Sequence, residues 1–168
     1  SISDTNDIYS NAGSLNGVTQ ISGLGNETVI ASDSTVDASA LNTLSAYTEG
    51  TVNVTGATAI NGSAADVATA LADTQISHDS DFNVTLTATS AAATAITAID
   101  AATTKVVDAS LVTTLTGTAA QIAAAATLDA NGTTTLKADF GATVDAGAVN
   151  ASDLNTILSL IHISEPTR

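Results

Sequence analysis

Few side chains in this sequence are of a type that could do chemistry, and they are thinly spread. His78 stands in Ser77-His78-Asp79-Ser80-Asp81, so one imidazole, two carboxylates and two hydroxyls fall within a single short stretch. A Ser-His-Asp relay needs the imidazole between a hydroxyl and a carboxylate. The tight Gly-x-Ser-x-Gly turn that presents such a serine does not occur in the sequence. The same stretch groups three metal-ligating side chains, His78, Asp79 and Asp81, and Asp4, Asn6 and Asp7 offer further oxygens near the start. Neither place has the spacing of an EF-hand loop, and no Gly-Gly-x-Gly-x-Asp nonapeptide is present. Asp79 and Asp81 are therefore candidates for weak, diffuse Ca²⁺ association, and no catalytic residue, defined metal site or cofactor is expected. Gly23-Leu24-Gly25 lacks the third glycine of a dinucleotide fingerprint, Thr28 standing in its place, and a phosphate-loop Gly-Lys-Ser/Thr is missing altogether.

A second kind of chemistry is interfacial. Thr85-Leu86-Thr87, Thr87-Ala88-Thr89 and Thr114-Leu115-Thr116 have Thr-x-Thr spacing, which on a strand turns both hydroxyls to one face. If Thr85, Thr87, Thr114 and Thr116 lay in one flat array they would resemble an ice- or crystal-binding surface. The plainer explanation is that threonine favours strands wherever they occur. Six Asn-x-Ser/Thr triplets, at Asn26, Asn53, Asn61, Asn83, Asn131 and Asn150, are what chance gives in so Ser- and Thr-rich a chain.

The elements that must position these residues are unusual in composition. The 168 residues are 44% hydrophobic, yet include only two Phe, two Tyr and neither Trp nor Met. Burial must then come from Ala, Val, Leu and Ile in thin layers, which suits a narrow stack better than a thick globular core. The formal net charge of −14, from 17 acidic against 3 basic residues, makes nucleic acid a poor partner and disfavours anionic membrane surfaces, so no nucleic acid is expected as a partner. No apolar run reaches the roughly 18 residues that a spanning helix needs, so no membrane insertion is expected. With no cysteine, neither disulfides nor thiolate metal sites arise.

Internal repetition is the strongest signal. A shift of 55 residues lays Ile76 on Ile21, Val84 on Val29, Ile96 on Leu41, Ile99 on Leu44, Thr103 on Thr48, Val107 on Val52, Gly117 on Gly62 and Ile122 on Val67. The implied organisation is a partial upstream copy over 1–20, repeat 1 over 21–75, repeat 2 over 76–130 and a truncated repeat 3 over 131–157. In the last of these, Ala151-Ser152-Asp153-Leu154-Asn155-Thr156-Ile157 echoes Ala38 to Leu44. Strands are expected at Thr28–Ala31, Thr51–Val54, Thr58–Asn61, Val84–Thr87, Lys105–Asp108, Thr113–Thr116 and Thr134–Lys137. Ser63-Ala64-Ala65-Asp66 and Thr118-Ala119-Ala120-Gln121 have capping-box spacing and predict helix starts at Ser63 and Thr118. Leu41 with Leu44, Ile96 with Ile99, Val67 with Ala70 and Leu71, and Ile122 with Ala125 and Ala126 form one-sided apolar stripes that must face inward. Turns are expected at Asn61-Gly62, Thr116-Gly117 and Asn131-Gly132.

Alternating strands and helices indicate parallel α/β structure, either a repeat solenoid with two coils per 55-residue unit or a doubly wound sheet. Repetition favours the solenoid. Against it stands the uneven spacing of the main strand starts, at 28, 58, 84, 113 and 134.

Ile21-Ser22-Gly23-Leu24-Gly25-Asn26-Glu27, Thr35 to Leu44 and Val112 to Ala120 resemble the Ala- and Thr-rich repeat unit of very large secreted cell-surface proteins of marine cyanobacteria, over roughly residues 7–157. The resemblance implies secretion, attachment at the cell surface and a structural or adhesive part. The middle copy departs from it where Ser90-Ala91-Ala92-Ala93 stands in place of the Asp-Ala-Ser helix start at Asp37. Residues 158–168, with the sole Pro and the sole Arg, resemble a translated sequencing adapter and are set aside as a non-native tail on what reads as a metagenomic fragment. The expectation is an extracellular or surface, adhesin-like, non-enzymatic segment whose partners are neighbouring repeats and, end to end, further copies of itself. Ice or crystal binding is the alternative.

Overall fold

In a computed structural model, residue 26 and residues 28–147 and 149–160 are described. The partial copy expected over 1–20, with Asp4, Asn6 and Asp7, lies outside the described residues, as do Ile21 to Gly25 and 161–168. The described chain is α/β, with parallel strands in three sheets alternating with five helices. It makes five similar passes. The first holds β1 (Val29–Ile30), β2 (Thr35–Asp37) and α1 (Ala38–Tyr47); the second β3 (Val52–Asn53), β4 (Ala59–Gly62) and α2 (Ala64–Ala72). The third holds β5 (Ile76–Ser77), β6 (Asn83–Leu86), β7 (Ser90–Ala92) and α3 (Ala93–Ala102). The fourth and fifth hold β8 (Val107–Ala109), β9 (Thr114–Gly117) and α4 (Ala119–Asn131), then β10 (Thr134–Leu136), β11 (Gly141–Val144) and α5 (Ala151–Leu160).

Strands pair between passes, never within one. The first sheet runs β1-β3-β5, the second β2-β4-β6-β8-β10 and the third β7-β9-β11. Partners in register are mostly 23 or 24 residues apart, as in Thr35↔Ala59↔Asn83 and Ser90↔Thr114. A doubly wound sheet would reverse its strand order part-way, and none of the three does. The uneven strand spacing in the sequence arises because the compared strands belong to different sheets. A 55-residue shift carries β1 and β3 of the first sheet onto β6 and β8 of the second, and β2 and β4 of the second onto β7 and β9 of the third. Pass three holds the one extra strand that this sidestep requires. β2, β5, β7 and β11 are not among the strands expected from sequence.

The inward rows are continuous. Val29, Val52 and Ile76 stack in the first sheet, Val36, Ile60, Val84, Val107 and Thr134 in the second, and Ala91, Leu115 and Ala142 in the third. The expected helix stripes face the same core: Leu41, Ile96, Ile99, Val67 and Ile122 are fully buried, and Leu44 nearly so. Leu41 and Ile96, Leu44 and Ile99, and Val67 and Ile122, each pair 55 residues apart, are thus buried alike.

Two expected turns are instead strand ends. Gly62 and Gly117 close β4 and β9 with φ of 155° and 144°, a region costly for residues with a Cβ. Space matters at Gly62 as much as dihedral, because a Cβ there would lie 3.1 Å from Ala38 Cβ at the start of α1. Gly132, at φ 76°, is a left-handed helix C-cap, as an Asn-Gly pair suggests.

Caps follow the sequence closely. The Ser63 hydroxyl accepts from Asp66 N at 3.1 Å, and Thr118 with Gln121 forms a complete capping box at the head of α4. Asp37 Oδ1 accepts from Ala40 N at 3.1 Å, whereas Ala92, its counterpart before α3, has no side-chain cap.

Two outcomes follow for urea unfolding. Gly62→Ala should cost about 2–3 kcal/mol through backbone strain and overpacking. Gly117→Ala should cost less, because the nearest atom is the movable Gln121 Oε1 at 2.9 Å, and Gly56→Ala, with nothing within 4 Å, should be neutral. Separately, Ala92→Asp should restore the missing cap and add about 1 kcal/mol, the amount that Asp37→Ala should remove.

Candidate functional site

The stretch around His78 is built by the corner between β5 and β6. Phe82 is buried beneath it, and the His78 ring meets Phe82 edge-on with centroids 5.3 Å apart at 85°. His78 Nδ1 lies 2.7 Å from the backbone carbonyl oxygen of Asp79, so the imidazole is engaged by the main chain and not by a carboxylate. The corner is tied to the next pass through its carbonyls: Thr104 N and Thr104 Oγ1 donate to Ser80 O at 2.7 and 3.1 Å, and Thr103 Oγ1 donates to Phe82 O at 2.6 Å. Asp79 and Asp81 are exposed, and among the described residues no three His, Asp or Glu side chains gather as a metal-binding group. The residues that could do acid–base or metal chemistry are neighbours in sequence that the fold does not converge on a shared point.

The four candidate threonines are divided between two sheets. Thr85 stands on β6 in the second sheet, in the outward row Asp37, Asn61, Thr85, Asp108 and Thr135. Thr114 and Thr116 stand on β9 in the third, in the rows Ser90, Thr114, Gly141 and Ala92, Thr116, Thr143. Thr87 follows the end of β6, exposed, with its N–H donating to Gly62 O at 2.9 Å. No threonine array joins the four: Asn61 and Asp108 flank Thr85, Ser90 and Gly141 flank Thr114, and Thr116 has a threonine neighbour, Thr143, on one side only, with Ala92 on the other.

Threonine has a different task here, one that lone Thr-x-Thr motifs do not reveal. Thr58 Oγ1 donates to Ser34 O and Thr113 Oγ1 to Thr89 O, each at 3.0 Å and each reaching 24 residues back to the preceding pass. These two bonds are 55 residues apart. So are the turns at Asn53, whose Oδ1 accepts from Thr55 N at 3.0 Å, and Asp108, whose Oδ1 accepts from Ser110 N at 3.1 Å. Thr48 Oγ1 accepting from Gly50 N and Thr103 Oγ1 accepting from Lys105 N form a third such pair. The signal that could have found them is the repeat register itself, applied to polar positions as well as apolar ones.

No protein-family model, curated protein or solved structure matches this chain.

The exposed carboxylates at the His78 corner face water without converging, so their affinity for cations should be that of any acidic surface. Millimolar CaCl₂ should raise the thermal midpoint no more than MgCl₂ does at the same ionic strength, before and after the double change Asp79→Asn and Asp81→Asn. A calcium-specific rise lost in that variant would establish a site there.

Proposed function

We propose that this chain is a segment of a non-enzymatic repeat solenoid, two coils to each 55-residue unit, that serves as a structural or adhesive spacer on a bacterial surface. The observation that carries the reading is the recurrence of polar detail at the repeat distance. The backbone-tying threonines at 58 and 113, the turn carboxamide and carboxylate at 53 and 108, and the caps at 63 and 118 each occupy matching places. The two threonines tie one pass to the next, and the turns and caps shape the passes in the same way at both places.

The chemistry of the surface supports the same reading. A net charge of −14 keeps a long array from collapsing on itself or on nucleic acid. No helix among the described residues is long and apolar enough to cross a membrane. At about 4.8 Å per strand spacing, each unit of two coils lengthens the stack by about 10 Å, so length is set by copy number. A spacer needs little more than this: reach, solubility and resistance to unravelling.

Antibodies raised against the purified chain should label intact, unpermeabilised cells that carry the gene as strongly as permeabilised ones. Labelling that appears only after permeabilisation would contradict surface display.

A further inference from the structure

An Asn-Gly pair carries a reaction of its own. If the glycine nitrogen swings round to the asparagine side chain it can attack Cγ, expel ammonia and close a cyclic imide, and glycine hinders this least because it has no Cβ. The sequence holds three such pairs, at Asn16, Asn61 and Asn131. The first lies outside the described residues, and the other two stand in opposite surroundings.

Asn61 and Gly62 end β4, a strand with partners on both sides: Asp37 and Thr85 flank Asn61, and Leu86 pairs with Gly62. Gly62 O accepts from Thr87 N at 2.9 Å, and Gly62 itself is buried beneath Ala38. Rotating the peptide between the two residues would part β4 from its neighbours, so this pair opens only with the stack. Asn131 is the last residue of α4, an inner helix with α3 on one side and α5 on the other. Asn131 and Gly132 are both exposed. Their peptide is held by the closing turn alone, in which Gly132 N donates to Asp129 O at 3.0 Å and Thr133 N to Leu128 O at 3.1 Å. Helix ends fray at far lower cost than a paired strand inside a sheet.

We infer that Asn131 is a site of spontaneous covalent modification whose only co-reactant is water. Gly132 N gives up its proton as it bonds to Asn131 Cγ, and the side-chain nitrogen leaves with that proton as ammonia. Water then splits the imide. Opening at Cγ leaves aspartate in a normal backbone, whereas opening at the main-chain carbonyl leaves isoaspartate, whose backbone runs through Cγ. Isoaspartate adds a methylene to the main chain inside the closing turn, which upsets the spacing of its two hydrogen bonds. Either product puts a carboxylate at the C-terminus of α4, where the helix dipole opposes negative charge. The same turn anchors the next strand: Asp129 Oδ1 accepts from Leu136 N at 2.7 Å, and Thr134 Oγ1 donates to Asp100 Oδ1 at 2.9 Å. Conversion of Asn131 therefore loosens β10, and with it the seam between the fourth and fifth passes.

Ageing the intact chain in mildly alkaline buffer, which favours the deprotonated attacking nitrogen, and mapping it by mass spectrometry tests this. The tryptic fragment from Val106 to Lys137 has Asn131 as its only asparagine, so conversion there is read without overlap. Asn131 should convert at least about a hundredfold faster than Asn61, with isoaspartate the larger product. In guanidinium chloride the two rates should converge, because the pairs then differ only in their flanking residues. Ile60→Ala, which removes buried volume beneath β4, should hasten Asn61 and leave Asn131 as it was. Amide exchange at Thr134 to Leu136 should quicken in the aged chain, and Asn131→Gln should hold both that exchange and the fragment mass constant. Comparable rates at Asn61 and Asn131 in the folded chain, or a gap that survives in guanidinium chloride, would overturn the site. Exchange in β10 that ignores the conversion would overturn the loosening.

Discussion

Neighbouring strands in a sheet lie about 4.8 Å apart, whereas neighbouring helices with ordinary side chains need about 8–10 Å, and here each pass supplies one helix for each row of strands. Helices can follow strands at that pace only if the surfaces between them are thin. This requirement accounts for the alanine. It places Ala38 and Ala93, both fully buried, at the first turn of α1 and α3, and it sets a glycine opposite each, at the end of the strand in the next pass. Gly62 comes so close beneath Ala38 that a methyl group would lie only 3.1 Å from the Ala38 Cβ, and its positive φ turns the chain from strand into the cap of α2. The larger fully buried side chains, Leu41, Ile60, Leu86, Ile96, Ile99, Leu115 and Ile122, fill the space between the strand rows and the helices. Phe82 and Phe140 fill corners between strands.

A core this thin leaves much backbone near water, and the polar residues are spent on it. Hydroxyls of Thr58, Thr103 and Thr113 bond carbonyls of the preceding pass, and those of Thr43, Thr69 and Thr127 bond back within their own helices. The buried Ser45 hydroxyl donates to Asp73 at 2.6 Å, joining α1 to the end of α2, and the buried Thr134 hydroxyl donates to Asp100 at 2.9 Å, joining α3 to β10. Carboxylates thus hold turns and neighbouring passes together.

Much of this was legible in the sequence. The 55-residue period, the starts of α2 and α4, seven of the strands and the inward stripes followed from spacing alone, because capping side chains and apolar periodicity act locally. Thr35–Asp37 and Ser90–Ala92 were not legible as strands. Each offers a single inward residue, Val36 or Ala91, and runs straight into a helix, so neither alternation nor length marks it. Their identity comes from pairing with β4 and β9, a tertiary fact. Asn61-Gly62 and Thr116-Gly117 carry a turn signature, yet the positive φ is used at a strand end against a helix. The candidate chemistry was legible only as an inventory: His78, Asp79 and Asp81 could be named, but convergence is a tertiary matter, and in the fold the His78 ring meets Phe82 edge-on and the Asp79 carbonyl instead of a carboxylate. The sidestep between sheets, which separates Thr85 from Thr114 and Thr116, has no local signature.

The close approach of a strand-end glycine to the helix start one pass earlier is the contact on which the stack depends, and it can be seen directly in solution. Nuclear Overhauser spectra of the labelled chain should show strong cross-peaks from the Gly62 α-protons to the Ala38 methyl group. Matching, weaker ones should run from Gly117 to Ala93. Absence of the Gly62–Ala38 peak in a folded sample, or its replacement by contacts to residues outside the adjoining passes, would contradict the account.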